Sequence, residues 1–170
     1  VQRLKGQVVE EEPDPTLRLS VSAYIPEDYV ADSHQRLSLY KRLSSCGQLG
    51  DLALMHGEIE DRYGHPPDPV ERLFELMQIR LLAKQLRLSS VVEQPHAVVI
   101  TFDPKATVSE TAVQALMDRY KKRLRFLSPL SFELQIPHED WSLVFPELNA
   151  TLQTLHVCGT NNQGPRTAST

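Results

Sequence analysis

The chain has 170 residues, of which 41% are hydrophobic, and this is enough to fill the core of one ordinary domain. Its 18 Lys and Arg against 22 Asp and Glu leave a net charge of -4, which argues against a free-standing nucleic-acid-binding domain with a basic excess. No apolar run approaches the roughly 20 residues of a membrane helix, and two cysteines far apart in sequence are typical of free thiols in a reducing compartment, so we expect a soluble, cytoplasmic protein.

The N-terminal residues 1–16 show little periodicity and end in an acidic, proline-containing stretch, which predicts an interdomain linker. The chain begins with Val1 and shows no signal-peptide pattern, and we therefore expect a segment of a longer polypeptide. Over residues 17–25 apolar and polar side chains alternate. This alternation predicts a strand with one buried face, ended by Pro26.

Three helices are predicted next. The first begins with a capping box at Asp32 and ends at Gly47, and the second runs from about Leu49 to Tyr63. The third has Asp68 as its predicted cap and Pro69 at its first helical position. Its apolar residues occupy more than one face, which predicts a central helix with neighbours on two sides.

The second half of the chain has a strand-rich pattern. Four strands are predicted, at residues 91–92, 97–102, 124–127 and 130–136. Between them Thr107 is the predicted cap of a helix, and a last helix begins at Trp141, where Pro146 should break or kink it. Residues 158–170 are small and polar, which predicts a disordered tail. We therefore expect an α+β domain over residues 17–157, in which an N-terminal strand and three-helix region precede a small, mainly antiparallel sheet with one or two packed helices.

No pattern in the sequence indicates a catalytic site. The seven glycines form neither a phosphate-binding loop nor a dinucleotide fingerprint, and no serine lies in a nucleophile elbow. The six histidines never pair at the spacing of metal ligands and never approach a cysteine at such a spacing. We therefore predict no catalytic residue, no cofactor site and no metal site in this chain.

A basic cluster lies at the predicted end of the fourth helix. Its members are Lys121, Lys122, Arg123 and Arg125. Positive charge there also favours the helix dipole, and the cluster has no interleaved aromatic residues, so a solvated face is the favoured interpretation. A nucleic-acid-binding accessory module remains the alternative.

A second charged cluster lies on the predicted second helix. At about 100° per residue, Glu58, Asp61 and Arg62 fall within an arc of roughly 100° that borders the apolar stripe of Met55 and Ile59. Such a strip suits recognition of a complementary protein surface. Two alternatives are a modest intrahelical pair between Glu58 and Arg62 and a carboxylate-dependent hydrolase, which the neighbouring guanidinium disfavours because it would hold the acids ionised.

Several segments of the first half carry a family pattern. They are AYIPEDYV at 23–30, RLSLYKRL at 36–43, EIEDRYG at 58–64, PDPV at 67–70 and IRLLA at 79–83. In this order they resemble the C-terminal domain of the bacterial transcription-repair coupling factors. The resemblance covers residues 17–90 well, and beyond them it extends only to the order of strands and helices.

The resemblance implies a parent that is a multidomain, ATP-driven DNA translocase, which acts on stalled RNA polymerase and duplex DNA and recruits the repair protein UvrA. ATP and Mg²⁺ would then belong to motor domains whose motifs this chain lacks. The C-terminal domain of the family packs on the UvrB-like N-terminal module and covers its UvrA-binding surface, so the implied role is autoinhibition. The resemblance implies no membrane partner. By position, the family's interface residues fall on Glu58, Asp61 and Arg62. The chain departs from the family at Gly57, where the family more often has a better helix former, and this glycine should weaken the helix by up to ~1 kcal/mol.

Overall fold

The structure, a computed structural model, describes residues 14–136 and 141–160. Most of the predicted linker and the tail residues 161–170 lie outside these ranges. Within them the chain forms an α+β fold of five α-helices and one five-stranded sheet, which confirms the expected fold class.

The helices are α1 (Ser33–Ser45), α2 (Leu49–Tyr63), α3 (Asp68–Gln85), α4 (Glu110–Tyr120) and α5 (Trp141–Thr160). The strands are β1 (Thr16–Arg18), β2 (Leu88–Gln94), β3 (Ala97–Phe102), β4 (Leu124–Ser128) and β5 (Ser131–Gln135). The sheet has the order β1-β2-β3-β5-β4, in which β1 is parallel to β2 and every other pair is antiparallel. None of the described helices is long and apolar enough to cross a membrane.

The predicted N-terminal strand is much shorter than its alternating pattern. β1 ends at Arg18, and residues 19–25 continue without strand pairing, although their side chains still alternate between partly buried and exposed positions. The backbone N–H groups of this segment find other acceptors: Tyr24 donates to the Pro69 carbonyl at 3.2 Å and Ile25 to the Tyr40 hydroxyl at 2.7 Å. The alternation therefore reports burial of one side, and the prediction of a strand as far as Ile25 is wrong.

The first three helices begin and end close to the predicted residues, with one difference at a cap. The Asp32 side chain accepts from the backbone N–H of Gln35 at 2.8 Å and caps α1 as predicted. α2 has the predicted bounds and ends at Gly64, whose φ of 86° is a conformation that favours glycine. The cap of α3 differs from the prediction, because Pro67 occupies the N-cap position and Asp68 is already helical.

Two hydrophobic clusters make up the core, and α3 contributes to both. One lies among α1, α2 and the first half of α3, where Leu43, Ile59 and Val70 are almost fully buried. The other lies between the sheet and the helices α3, α4 and α5, and it includes Leu82 of α3 and Ile100 of β3. The prediction that α3 is central is therefore confirmed.

Two predictions for the second half are wrong in detail. Ser109, not Thr107, is the N-cap of α4, because the Ser109 hydroxyl accepts from the Ala112 N–H at 3.1 Å. Pro146 lies inside α5, so the helix is not broken there, and the alternative of a kink stays a prediction. That helix continues to Thr160, so its last three residues are helical and do not belong to the predicted tail.

The corrected cap of α4 leads to a stability prediction. Ser109→Ala removes the cap and a second hydrogen bond, from the Ser109 hydroxyl to the Cys158 carbonyl at 3.2 Å, and should cost about 1 kcal/mol of unfolding free energy in urea. Thr107→Ala, at an exposed position, is the matched control and should change it by less than about 0.5 kcal/mol. Equal losses in the two variants would contradict the assignment.

Candidate functional site

The three predicted interface residues lie together on the outer face of α2. Glu58, Asp61 and Arg62 are all exposed, while the apolar stripe of the same helix, including Met55 and Ile59, is buried against its neighbours. The three residues line one shallow depression on the surface. The prediction that they face the same way is confirmed, whereas their role stays a prediction.

An apolar side chain that the sequence reasoning missed completes this surface. Leu54 is 78% exposed, the largest exposed fraction among the large hydrophobic residues of the described chain. It lies one turn before Glu58 and lines the same depression, together with Ala53 and Gly57. We call the six residues Ala53, Leu54, Gly57, Glu58, Asp61 and Arg62 the α2 surface. It combines an exposed apolar centre with ionised groups, as protein-binding surfaces commonly do.

Glu58 has a partner that the helical spacing did not predict. The Arg42 guanidinium of α1 donates two hydrogen bonds to its carboxylate, at 2.8 and 2.6 Å. The alternative i, i+4 pair with Arg62 is not formed in the described structure, and the Arg62 guanidinium lies 5.3 Å from the centre of the Tyr63 ring. Glu58 is therefore oriented from a neighbouring helix, 16 residues earlier in the chain.

The same contact sets the protonation of Glu58. The hydrogen bonds from Arg42 lower the pKa of Glu58 below its ordinary value, and Arg62 adds a smaller effect in the same direction. A carboxyl with a lowered pKa is a poor proton donor at neutral pH. Within the described ranges no group of three His, Cys, Asp or Glu side chains could hold a metal ion.

Gly57 lies in the interior of α2, and its position leaves space. Apart from the adjoining turns of its own helix, a Cβ atom built there would meet no atom within 4 Å. The fold of this domain therefore does not require glycine at this position. Glycine still lowers the stability of α2 there, because of its low helix propensity.

The basic cluster at the end of α4 is partly neutralised within the domain. Arg123 forms an ion pair with Glu147 of α5 at 2.8 Å, and Arg125 lies 3.5 Å from Glu133 on the paired strand β5. Lys121 has a φ of 50° and begins a short 3₁₀ turn. Two of its four cations thus have carboxylate partners, which leaves fewer charges for phosphate contacts.

Comparison with known proteins places the chain. The model of the TRCF domain family matches residues 19–113, which is more than half of the chain. The chain belongs to the TRCF domain family. All six residues of the α2 surface lie within the matched range.

Transcription-repair-coupling factors are the curated relatives of this TRCF domain. The protein of Myxococcus xanthus is 31% identical over 137 residues, which cover 81% of this chain and 11% of that protein. The protein of Bacillus subtilis is 30% identical over 108 residues, or 63% of this chain and 9% of its own length. The chain thus spans about a tenth of the length of each of these relatives.

A solved structure agrees in fold with this TRCF domain. It is described as the C-terminal domain of transcription-repair coupling factor, and it superposes with a TM-score of 0.76 at 16% identity. The match covers 89% of this chain and 97% of the other. It therefore extends the family likeness, as a likeness of fold, through the second half of the chain.

The contact between Arg42 and Glu58 can be tested by titration. Arg42→Gln should return the pKa of Glu58 toward its ordinary value near 4.5, whereas Arg62→Gln should raise it less, because Arg42 is the larger cause. In the native chain the pair should stabilise the fold above that ordinary pKa and lose its effect as the pH falls through the lowered one. Carboxyl chemical shifts followed by NMR over a pH titration give the pKa of Glu58 in the native chain and in each variant. An unchanged pKa in Arg42→Gln would exclude the pair in solution.

A second variant tests the space around Gly57. Gly57→Ala should raise the unfolding free energy by up to about 1 kcal/mol, because alanine restricts the unfolded chain and fits without contact. Urea unfolding of the purified chain measures this, with Gly64→Ala as the control. That control should lose stability, since the φ of 86° strains any residue with a Cβ.

Proposed function

We propose that this TRCF domain is a non-catalytic regulatory domain of a transcription-repair coupling factor that acts in transcription-coupled nucleotide excision repair. Through the α2 surface it packs on the UvrB-like module of the parent protein and masks the surface that UvrA binds. The parent is an ATP-dependent DNA translocase that acts on RNA polymerase and duplex DNA, and its motor domains hold ATP and Mg²⁺. The domain itself supplies an autoinhibitory contact.

The observation that carries the proposal is the composition of the α2 surface. Leu54 is the most exposed large hydrophobic residue of the described chain, at 78%, and it shares one depression with Glu58, Asp61 and Arg62. An apolar contact beside charged groups that set register is the usual composition of a protein–protein interface. Asp61 forms no hydrogen bond or ion pair in the described structure. Its charge is available to a cationic side chain of the sister module.

Arg42 gives this surface a defined shape. Because the Glu58 carboxylate is fixed by two hydrogen bonds from Arg42, it loses little further rotamer freedom on docking. Individual exposed ion pairs contribute only about 0.2–1 kcal/mol. Within one polypeptide, however, the high effective concentration of the tethered module lets such modest contacts hold the closed state, while the motor or the polymerase can still open it.

The two other functions considered from the sequence have less support. The nucleic-acid-binding alternative depends on a cluster in which Arg123 and Arg125 pair with carboxylates of the domain. The hydrolase alternative needs a carboxyl that can donate a proton, and Arg42 holds Glu58 ionised. We therefore keep the docking role as the proposed function.

Charge reversal in the full-length parent tests the masking. Glu58→Lys combined with Asp61→Lys should strengthen UvrA binding about ten-fold or more, because repulsion opens the closed state and exposes the masked surface. Binding is measured by calorimetry with purified UvrA. The matched control is Glu110→Lys with Asp118→Lys, an equal change of charge at exposed positions of α4, and it should leave the affinity unchanged. Unchanged affinity in the α2 variant would remove the masking role.

An exchange of partners separates the contact within the domain from the contact with the sister module. Arg42→Glu with Glu58→Arg keeps an opposite-charge pair between α1 and α2 but reverses the charge on the α2 surface. We expect UvrA to bind the parent with this exchange as tightly as it binds the parent with Glu58→Lys alone, because both put a positive charge at position 58. If masking is restored instead, Glu58 acts only by supporting the domain's own structure.

A further inference from the structure

A cationic cavity lies on another part of the molecule, away from the α2 surface. It is bounded by the end of α3, the end of β3, the start of α4 and the last turns of α5, and its volume is about 280 Å³. Its polar lining includes Arg87, Lys105, Thr107, Ser109 and His156, and no carboxylate is among the lining residues. A cavity lined in this way favours a small anion.

Arg87 is the feature that distinguishes this cavity. Its Nε atom is buried and has no hydrogen-bond partner, and its guanidinium forms no ion pair in the described structure. Many other arginines of the domain do have a carboxylate within 4 Å, for example Arg42, Arg80 and Arg123. A buried donor without a partner costs free energy, and a bound anion would recover that cost.

The backbone holds Arg87 in a strained but well-determined conformation. Its φ is 53°, in the left-handed region that residues with a Cβ seldom adopt. Its N–H donates to the Lys84 carbonyl at 3.0 Å, and its own carbonyl accepts from the Asp103 N–H at 2.8 Å. These two hydrogen bonds fix the corner between α3 and β2, from which the Arg87 side chain lines the cavity.

The start of α4 contributes further donors to the same cavity. Ser109 caps this 11-residue helix and lines the cavity next to Thr107. Because the Ser109 hydroxyl already donates to the Cys158 carbonyl, this wall offers an anion the Thr107 hydroxyl and the positive end of the helix dipole. Arg87, on the opposing α3 corner, supplies a planar group that can donate two hydrogen bonds to phosphate oxygens.

We propose that this cavity is a phosphate-binding site, which takes inorganic phosphate or the phosphate group of a nucleotide, with Arg87 as its principal ligand and His156 and the start of α4 as supporting groups. The site is independent of the α2 surface and of the function proposed above.

NMR titration of the 170-residue chain with inorganic phosphate tests this site. At constant ionic strength we expect saturable shifts of the amide signals of Arg87, Glu110 and Thr111, with half-saturation in the millimolar range. Arg87→Gln should weaken binding about ten-fold or more, and Arg87→Lys should weaken it less because the charge is kept. Arg119→Gln, at the opposite end of α4, removes the same charge and should leave binding unchanged. Equal shifts with chloride, or equal binding by Arg87→Gln, would overturn the proposal.

Two further measurements complete the test. Titration with AMP separates the sources of the phosphate group, since tighter binding than that of inorganic phosphate indicates a nucleotide and equal binding indicates the phosphate alone. Urea unfolding of Arg87→Gln guards against loss of fold, and an unfolding midpoint near that of the native chain is expected. Phosphate shifts spread equally over Lys121 and Lys122 would indicate general attraction to basic groups and would also overturn the proposal.

Discussion

The packing of α3 between two hydrophobic clusters is the constraint on which the rest of the structure depends. Its first half, with Val70 and Phe74, completes the cluster that it shares with α1 and α2, and its second half, with Leu82, lies against the sheet. The helix therefore fixes the N-terminal helical region relative to the sheet. α2 can leave one face unpacked because its opposite face is anchored on α3, and the corner after α3 places Arg87 beside the start of α4. Loss of α3 packing would affect both surfaces at once.

The two surfaces differ in how their charges are satisfied. On the α2 surface the Glu58 carboxylate already has a partner in Arg42, so the domain presents a fixed, ionised group beside the exposed Leu54. In the cavity near α4 the guanidinium of Arg87 has no carboxylate partner, and its Nε is buried. The first arrangement suits a large complementary protein surface, where register matters more than the strength of a single pair. The second suits a compact anion that can satisfy several donors together.

Local sequence signals predicted the parts of the fold that local physics determines. The cap at Asp32 and the bounds of α2 depend on neighbouring residues, and both predictions are confirmed. The strands of the second half have the predicted order, but β2, predicted at residues 91–92, extends over Leu88–Gln94 in its ladder with β3. The alternation over residues 17–25 was misread as a strand because it records burial, whereas a strand also needs a hydrogen-bonded neighbour. The exposed strip of α2 followed from helical spacing, but the Arg42 contact did not, because it joins helices 16 residues apart. Arg87 had no sequence signal, since its cavity is assembled from distant segments.

The proposed autoinhibition requires that the α2 surface is covered in the intact parent protein. Labelling kinetics at position 54 test it most directly. Leu54→Cys is introduced after replacement of Cys46 and Cys158 by serine, as well as any other cysteines of the parent, and the rate of reaction with a thiol reagent is compared between the isolated chain and the parent. At a position that is 78% exposed in the domain, the account predicts fast labelling of the isolated chain and labelling at least ten-fold slower in the parent. Equal rates in the two proteins would show an uncovered surface and would contradict the account.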